Sequence, residues 1–392
     1  MPRQDRAAFA PPVLITDTPS LAALCERLAH EPMVTVDTEF MRERTYWPEL
    51  CVVQLGGAND TAVVDTLAPG LDLAPLGVLL ADPNVTKVFH AARQDIEIFV
   101  LKFGAVPTPL VDTQVAAMVA GFGDQVGYDT LVGSLTGGQI DKSHRFSDWS
   151  ARPLSPAQIA YAAADVTHLR LVYEKLMARL ARDGRLEWVA EEMATLTDPA
   201  TYRADPERMW ERLRARSSNR RLLGMLRAIA AWREREAQRA NIPRGRMLKD
   251  ESLLELAATA PIDAAGLGRV RGISKGFADG KQGASLLAAM EQARALPESA
   301  LPVPPADKHG PRPSPALVAL LKVLLTASCE AHDVAPRLLA SSDDLDRIAV
   351  GETDVPALHG WRHGVFGEQA LALRDGRLAL GVAGKQIRTI PL

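Results

Sequence analysis

The chain has 392 residues, 47% of them hydrophobic, and a formal net charge of −3, which allows two or three domains with cores of their own. There is no apolar run of about 18 residues and no charged-then-apolar leader in "MPRQDRAAFAPPVLITD", so a soluble cytoplasmic protein with no membrane partner is expected. Cys25, Cys51 and Cys329 are widely spaced and form no CxxC pair, which argues against a disulfide framework or a thiolate zinc site.

The first segment alternates short apolar runs with helical patterns, an α/β arrangement. "MVTV", "CVVQLG" and "TAVVD" follow one another closely and are expected to be antiparallel neighbours. Later strands such as "TKVFHA" are separated by helical stretches such as "RQDIEIFVLKFG", which implies parallel pairing and a mixed sheet. The strand at residues 33–41 carries Asp37 and Glu39, two apart and therefore on one face. Two anions so placed repel each other and require a cation or hydrogen-bond donors. Asp95 opens the helix after "TKVFHA", at the kind of strand-to-helix junction where ligands bind in α/β sheets. A long helix begins at Ser155, with Pro156 at its first position. Ile159, Ala162, Val166, Leu169, Tyr173, Leu176 and Leu180 form its core stripe, and Tyr161 and Asp165, one turn apart, share another face.

Beyond residue 202 the chain changes character. Residues 1–202 hold 16 Lys/Arg against 26 Asp/Glu, whereas 203–249 hold 14 against 5, which points to an anionic partner on the second segment. "RRLLGMLRAIAAWREREAQRANIP" is an amphipathic basic helix ending at Pro243. Seven prolines in 297–315 exclude a helix and suggest a linker. The remaining residues read as helical, with a hairpin in "RLALGVAGKQIRTI".

Four carboxylates from three segments can hold two divalent ions, and magnesium or manganese suits such oxygen ligands. "VDTEF", "HAARQDIEIF" and "DWSARPLSPAQIAYAAADV" resemble the three exonuclease motifs of the DEDD superfamily in its Tyr-containing branch, and the flanking "YWPELCVVQLG" and "DKSHRFSDW" are similar to the ribonuclease D family. Matched by position, Asp37 and Glu39 fill the first motif, Asp95 the second, and Tyr161 and Asp165 the third. Ala160 stands where the histidine branch would have its base. The segment from "LRAIAAWREREAQ" through "VRGIS" resembles the helicase and ribonuclease D C-terminal (HRDC) domain, and 314–392 is similar to a second, degenerate copy.

The resemblance implies an α/β ribonuclease H-like exonuclease domain at 1–200, an HRDC domain at 203–293, a Pro-rich linker at 294–313 and a degenerate HRDC-like domain at 314–392. It implies a two-metal 3′–5′ exoribonuclease that releases 5′-mononucleotides from the 3′ ends of precursor transfer RNA and other stable RNAs. Asp37 would bridge both ions, Glu39 and Asp165 complete one site, Asp95 support the other, and Tyr161 orient the attacking water. Phe40, Met41, Tyr46, Trp47 and Lys142 are candidates for RNA contact, the aromatics by stacking. His90 reads as a structural residue. A monomer is expected. A DNA exonuclease of the same chemistry and a catalytically silent RNA-binding protein are the alternatives.

Overall fold

The computed structural model describes residues 11–141, 143–213, 215, 217–304 and 312–392. They divide into two compact units, one made of residues up to Phe40, Leu50–Tyr202 and Pro311–Leu392, the other of Met41–Glu49 and Arg203–Gly310.

The first unit is built on a six-stranded sheet of β1 (Val13–Ile15), β2 (Met33–Met41), β3 (Glu49–Gly56), β4 (Thr61–Asp65), β5 (Thr86–Phe89) and β6 (Leu110–Asp112), in the order β1-β4-β3-β2-β5-β6. The sheet is mixed because its connections differ in length. The short turn between β3 and β4 makes them antiparallel, while β2 with β5 and β5 with β6 are parallel, as crossovers through helices require. The helices are α1 (Thr18–Leu28), α2 (Ala74–Ala81), α3 (Arg93–Phe103), α4 (Thr113–Val119), α5 (Tyr128–Thr136), α6 (Pro156–Arg182) and α7 (Leu186–Thr197). Their apolar faces close one core with the sheet, in which Val34, Val36, Val53, Leu55, Phe89 and Phe99 are fully buried.

Helix α6 starts where its cap dictates. The Ser155 side chain accepts from the Gln158 backbone N–H, the Gln158 side chain reaches back to the Ser155 backbone, and Pro156 occupies the first turn. The segment before it is pinned by Arg152, whose Nε donates to both Asp65 carboxylate oxygens at 2.8 Å and whose Nη2 donates to Cys51 O at 2.8 Å.

Residues 312–392 cluster with the unit that holds the six-stranded sheet. They have a small core of their own, including Leu321, Leu345, Trp361 and Phe366, and β7 (Leu378–Ala383) pairs antiparallel with β8 (Gln386–Pro391) in the expected hairpin. The Trp361 ring stacks on Trp188 of α7 with centroids 4.6 Å apart, and Arg362 pairs with Glu192 at 2.7 Å. The helix Pro315–His332 has the length and mean hydropathy, 1.3, of a membrane span. It nevertheless carries Lys322 and Glu330 and turns Leu321, Leu324, Ser328 and Cys329 inward.

The second unit is helical and centred on α8 (Arg220–Ala240), which ends at Asn241 in the left-handed conformation, φ 49°. Leu226, Ile229, Leu253, Leu256, Leu286 and Met290 form its centre. The expected linker at 294–313 is partly outside the described residues. Its first part is held against α8: Arg220 Nη2 donates to Leu301 O at 2.9 Å, Arg221 Nη1 donates to Leu296 O at 2.7 Å, and Leu301 is 4% exposed. Prolines stop the helix there, but their neighbours' carbonyls still accept from the arginines.

Candidate active site

Asp37 and Glu39 project from one face of β2, as the two-residue period requires. Thr35, on the same face, ties this strand to its neighbours. Its Oγ1 donates a hydrogen bond and lies 2.8 Å from Val166 O in α6 and 3.2 Å from Gly56 O in β3. Gly56 has no alternative here, because a Cβ would lie 2.3 Å from Thr35 Oγ1 and 3.2 Å from Val166 Cβ. This close approach brings Asp165 to the β2 acids. Asp37, Glu39 and Asp165 each offer an oxygen within 4.8 Å of the others'.

Asp95 arrives by a different route. It sits in the first turn of α3, where the helix dipole favours a negative charge, and its Oδ1 accepts from Thr38 Oγ1. The turn into α3 is held by Asp112, which accepts from the backbone N–H groups of Ala91 and Ala92, each at 2.9 Å. Ala91 takes a positive φ of 58° there, a conformation that alanine adopts only when its surroundings enforce it.

The electrostatics follow from burial without counter-charge. No Lys or Arg among the described residues forms an ion pair with Asp37, Glu39, Asp95 or Asp165. Desolvation, with Asp165 beside it, holds the Asp37 carboxyl well above the usual range. Glu39 is pushed up to about 9 by burial and then by Asp37, Asp165 and Asp95, and burial pushes Asp165 up to about 7. Asp95 is raised by burial and by Asp37. A set of oxygen donors that is half-buried at Asp37 and Glu39 and buried at Asp95 and Asp165, with surplus negative charge, suits divalent cations.

A cavity of about 340 Å³ is lined by two of these acids, Asp37 and Asp165, and by Tyr161, His90, Gln114 and Arg145 among others. The Tyr161 ring lies 6.0 Å from the buried Trp149 and 6.2 Å from His144. Burial and the nearby acids raise its hydroxyl above the ordinary tyrosine value, so at neutral pH it keeps its proton and is available as a hydrogen-bond donor. His90 lines the cavity with Nδ1 3.0 Å from Thr113 Oγ1.

The substrate-contact candidates fare unevenly. Phe40 is half-buried, and strand alternation puts it opposite Glu39, whereas Met41 shares the face of the two acids. Tyr46 must be corrected: it is 8% exposed in the core of the second unit. Its hydroxyl donates to Glu234 and accepts from Gln238 and Arg244, each at 3.1 Å. A ring so enclosed has no face to offer a base. Trp47 packs edge-on against Tyr46 at 4.6 Å and lies partly buried on the same core. Lys142 lies outside the described residues.

Sequence reasoning passed over Arg145, the one arginine or lysine lining the cavity among the described residues. It stands in the same "DKSHRFSDW" stretch as Lys142, and the surplus of acids opposite was the available signal. Thr35, Thr38 and Asp112 were also passed over. Each acts on a partner distant in sequence, which no local pattern reveals.

A 3′–5′ exonuclease family model matches residues 12–181 and an HRDC domain model matches residues 223–290. Ribonuclease D of Gluconacetobacter diazotrophicus is 68% identical over the full length of both chains. Ribonuclease D of Jannaschia sp. is 50% identical, over 97% of this chain and 99% of its own. The crystal structure of Escherichia coli RNase D, described as an exoribonuclease involved in structured RNA processing, superimposes with a TM-score of 0.79 at 32% identity, covering 93% of this chain and 99% of that one.

Proposed function

The chain belongs to the ribonuclease D family and is a 3′–5′ exoribonuclease, and from that premise we propose that it uses two divalent ions, magnesium or manganese, to trim the 3′ ends of precursor transfer RNA and other stable RNAs. The observation that carries the two-ion reading is the convergence of Asp37, Glu39 and Asp165 within 4.8 Å, with Asp95 joined to the same strand through Thr38. Asp37 would serve both ions, with Glu39 and Asp165 completing one position and Asp95 supporting the other. Bound there, the ions would supply a water acidic enough to attack at neutral pH and stabilise the departing 3′ oxygen.

The chain's own groups do the rest. Tyr161, its hydroxyl kept protonated, aligns the attacking water by hydrogen bonding. Arg145, on the cavity wall, meets the phosphate next to the scissile bond. Met41, on the acids' face of β2, packs against the terminal nucleotide. The HRDC segment with its excess of arginine holds the polyanionic RNA, and 314–392 forms a second, degenerate HRDC unit. The protein works as a cytoplasmic monomer.

Digestion of matched RNA and DNA oligonucleotides, each with and without magnesium, manganese and a chelator, tests the chemistry. Release of 5′-mononucleotides from the RNA 3′ end only when metal is present is the expected result. Equal turnover of DNA would move the reading to a general exonuclease. Competition between a precursor transfer RNA with a 3′ extension and a short unstructured RNA tests the substrate class, with preferential trimming of the precursor expected.

A further inference from the structure

Tyr161 can align a water only if its ring is held in one orientation, and its hydroxyl makes no hydrogen bond among the described residues that would hold it. A helical backbone fixes the Cα–Cβ bond but leaves more than one staggered rotamer open to a partly exposed tyrosine, so the orientation comes from the rings packed against it. Two rings do this among the described residues. His144, 6.2 Å away, stands in a turn whose members Ser143, Arg145 and Phe146 are exposed. Trp149, 6.0 Å away, is 2% exposed. Trp149 is therefore the fixed wall, and what holds Trp149 governs where Tyr161 points.

Trp149 is held through its carbonyl by Arg152, whose guanidinium spreads over four partners. Nη1 donates to Trp149 O at 2.6 Å and to Ala151 O at 2.8 Å. Nη2 donates to Cys51 O in β3 at 2.8 Å and lies 2.7 Å from Asp65 Oδ1, while Nε donates to both Asp65 oxygens at 2.8 Å. Each of the three nitrogens already has an acceptor, so none is left for substrate. Asp65 is buried at the end of β4, where its Oδ1 also accepts from the Leu67 N–H at 3.0 Å. The fork thus ties two neighbouring strands, β3 and β4, to the backbone of Trp149, and a planar fork fixes direction as well as distance. Helix α6 has its own cap at Ser155 and does not need Arg152 in order to start. What the fork fixes is the segment before the helix, which carries Trp149.

We propose that Arg152, braced by Asp65, is a positioning residue for Tyr161: by fixing Trp149 it keeps the Tyr161 ring directed into the cavity that Asp37 and Asp165 line. The proposal rests on the reading that Tyr161 aligns the attacking water, and it makes that role depend on a side chain whose own donors are all spent within the protein.

The test follows single-turnover hydrolysis of a short RNA by the full chain with magnesium, over a range of RNA concentration and below the melting transition of every variant. Arg152→Lys keeps the charge but offers one ammonium, which cannot serve Asp65, Cys51 O and Trp149 O together. It should lower the maximal rate about tenfold and leave the half-saturating RNA concentration within about twofold of the parent's, because a displaced aligning group is missed in the transition state and not in binding. Introduced into Tyr161→Phe, the same change should cost less than about twofold, since no hydroxyl is left to misplace. A second readout needs no metal: nitration of Tyr161 by tetranitromethane, located by peptide mass spectrometry, should be faster in Arg152→Lys as the ring gains freedom. Asp65→Asn keeps the side-chain shape but removes the charge that braces the fork. It should shift all of these readings in the same direction, and it carries the test if Arg152→Lys does not fold. Losses of equal size in the parent and Tyr161→Phe backgrounds, or nitration at the parent's rate, would make Arg152 a structural staple and overturn the proposal. If Tyr161→Phe alone turns RNA over at the parent's rate, the reading of Tyr161 fails and the proposal with it.

Discussion

The two units each bury carboxylates, and they treat them in opposite ways. In the second unit Glu234 is 1% exposed, yet it accepts from Arg244, Tyr46 and Gln238, and although burial pushes its carboxyl up, those partners hold it below its ordinary value. In the first unit Asp37, Glu39, Asp95 and Asp165 have no paired cation among the described residues, and all four are raised. Burial acts in the same direction on both sets, so what separates them is the partner. A satisfied acid is part of the architecture, whereas an acid held without its counter-charge is held for something that arrives later.

Replacing Asp37 by Asn removes the acid at the centre of the unsatisfied set and should give the largest effect. Turnover of RNA should fall about a thousandfold or more, with the melting temperature unchanged or raised because like-charge repulsion is relieved. Single-turnover kinetics beside a thermal melt would register both, and activity within tenfold of the parent would contradict the role given to Asp37. At the satisfied acid the opposite pattern is expected. Arg244→Ala leaves Glu234 and the Tyr46 hydroxyl without their cation and should cost about 3 kcal/mol of stability in denaturant unfolding. Glu234→Gln added to that variant should recover part of the loss. Additive losses would mean that the pair is not coupled.

Tyr161→Phe should slow turnover about a hundredfold while leaving metal affinity and RNA binding near the parent's. Lost metal binding would make Tyr161 a structural residue instead.

The smallest effect concerns pH, and here the two regions carry opposite signs. Acids whose folded-state value is raised bind protons more tightly in the folded chain than in the unfolded one. Their contribution to stability is present below the ordinary carboxylate range and is lost as pH rises through about 7 for Asp165 and about 9 for Glu39. The metal-free protein should therefore melt a few degrees lower at pH 9 than at pH 6, whereas the lowered Glu234 contributes stability that is lost only in acid. Divalent ions must displace the same protons, so their affinity should rise across that window. Calorimetry in two buffers of different ionisation enthalpy would count the protons released, and a pH-independent affinity would remove this coupling.

Much of the active site could be read from local pattern, because local pattern is what produced it. Asp37 and Glu39 share a face through the two-residue period of a strand, and Tyr161 and Asp165 are placed by the pitch of a helix that begins at its own Ser-Pro cap. The mixed sheet follows from the lengths of its connections in the same way. The fate of Tyr46 and Trp47 could not be read in this manner. Both follow the acidic strand and look like stacking aromatics, but Tyr46 is claimed by Glu234, 188 residues away, and its backbone N–H by Asn241.

The amino-acid sequence by itself determined the order of the acidic motifs, the faces on which their side chains lie, the caps that start the helices and the division between an acidic and a basic stretch. Each depends on backbone geometry and near neighbours, and so needs no knowledge of the rest of the chain. Tertiary structure alone decided that Thr35 and Gly56 bring Asp165 to β2, that Arg145 is the arginine on the cavity wall, and that residues 312–392 share a unit with the catalytic sheet. It likewise decided that Tyr46 serves the second unit's core. Those outcomes turn on which of several chemically equivalent partners meets a buried donor, acceptor or ring, and that choice is made only when the chain has folded and water has been excluded from both.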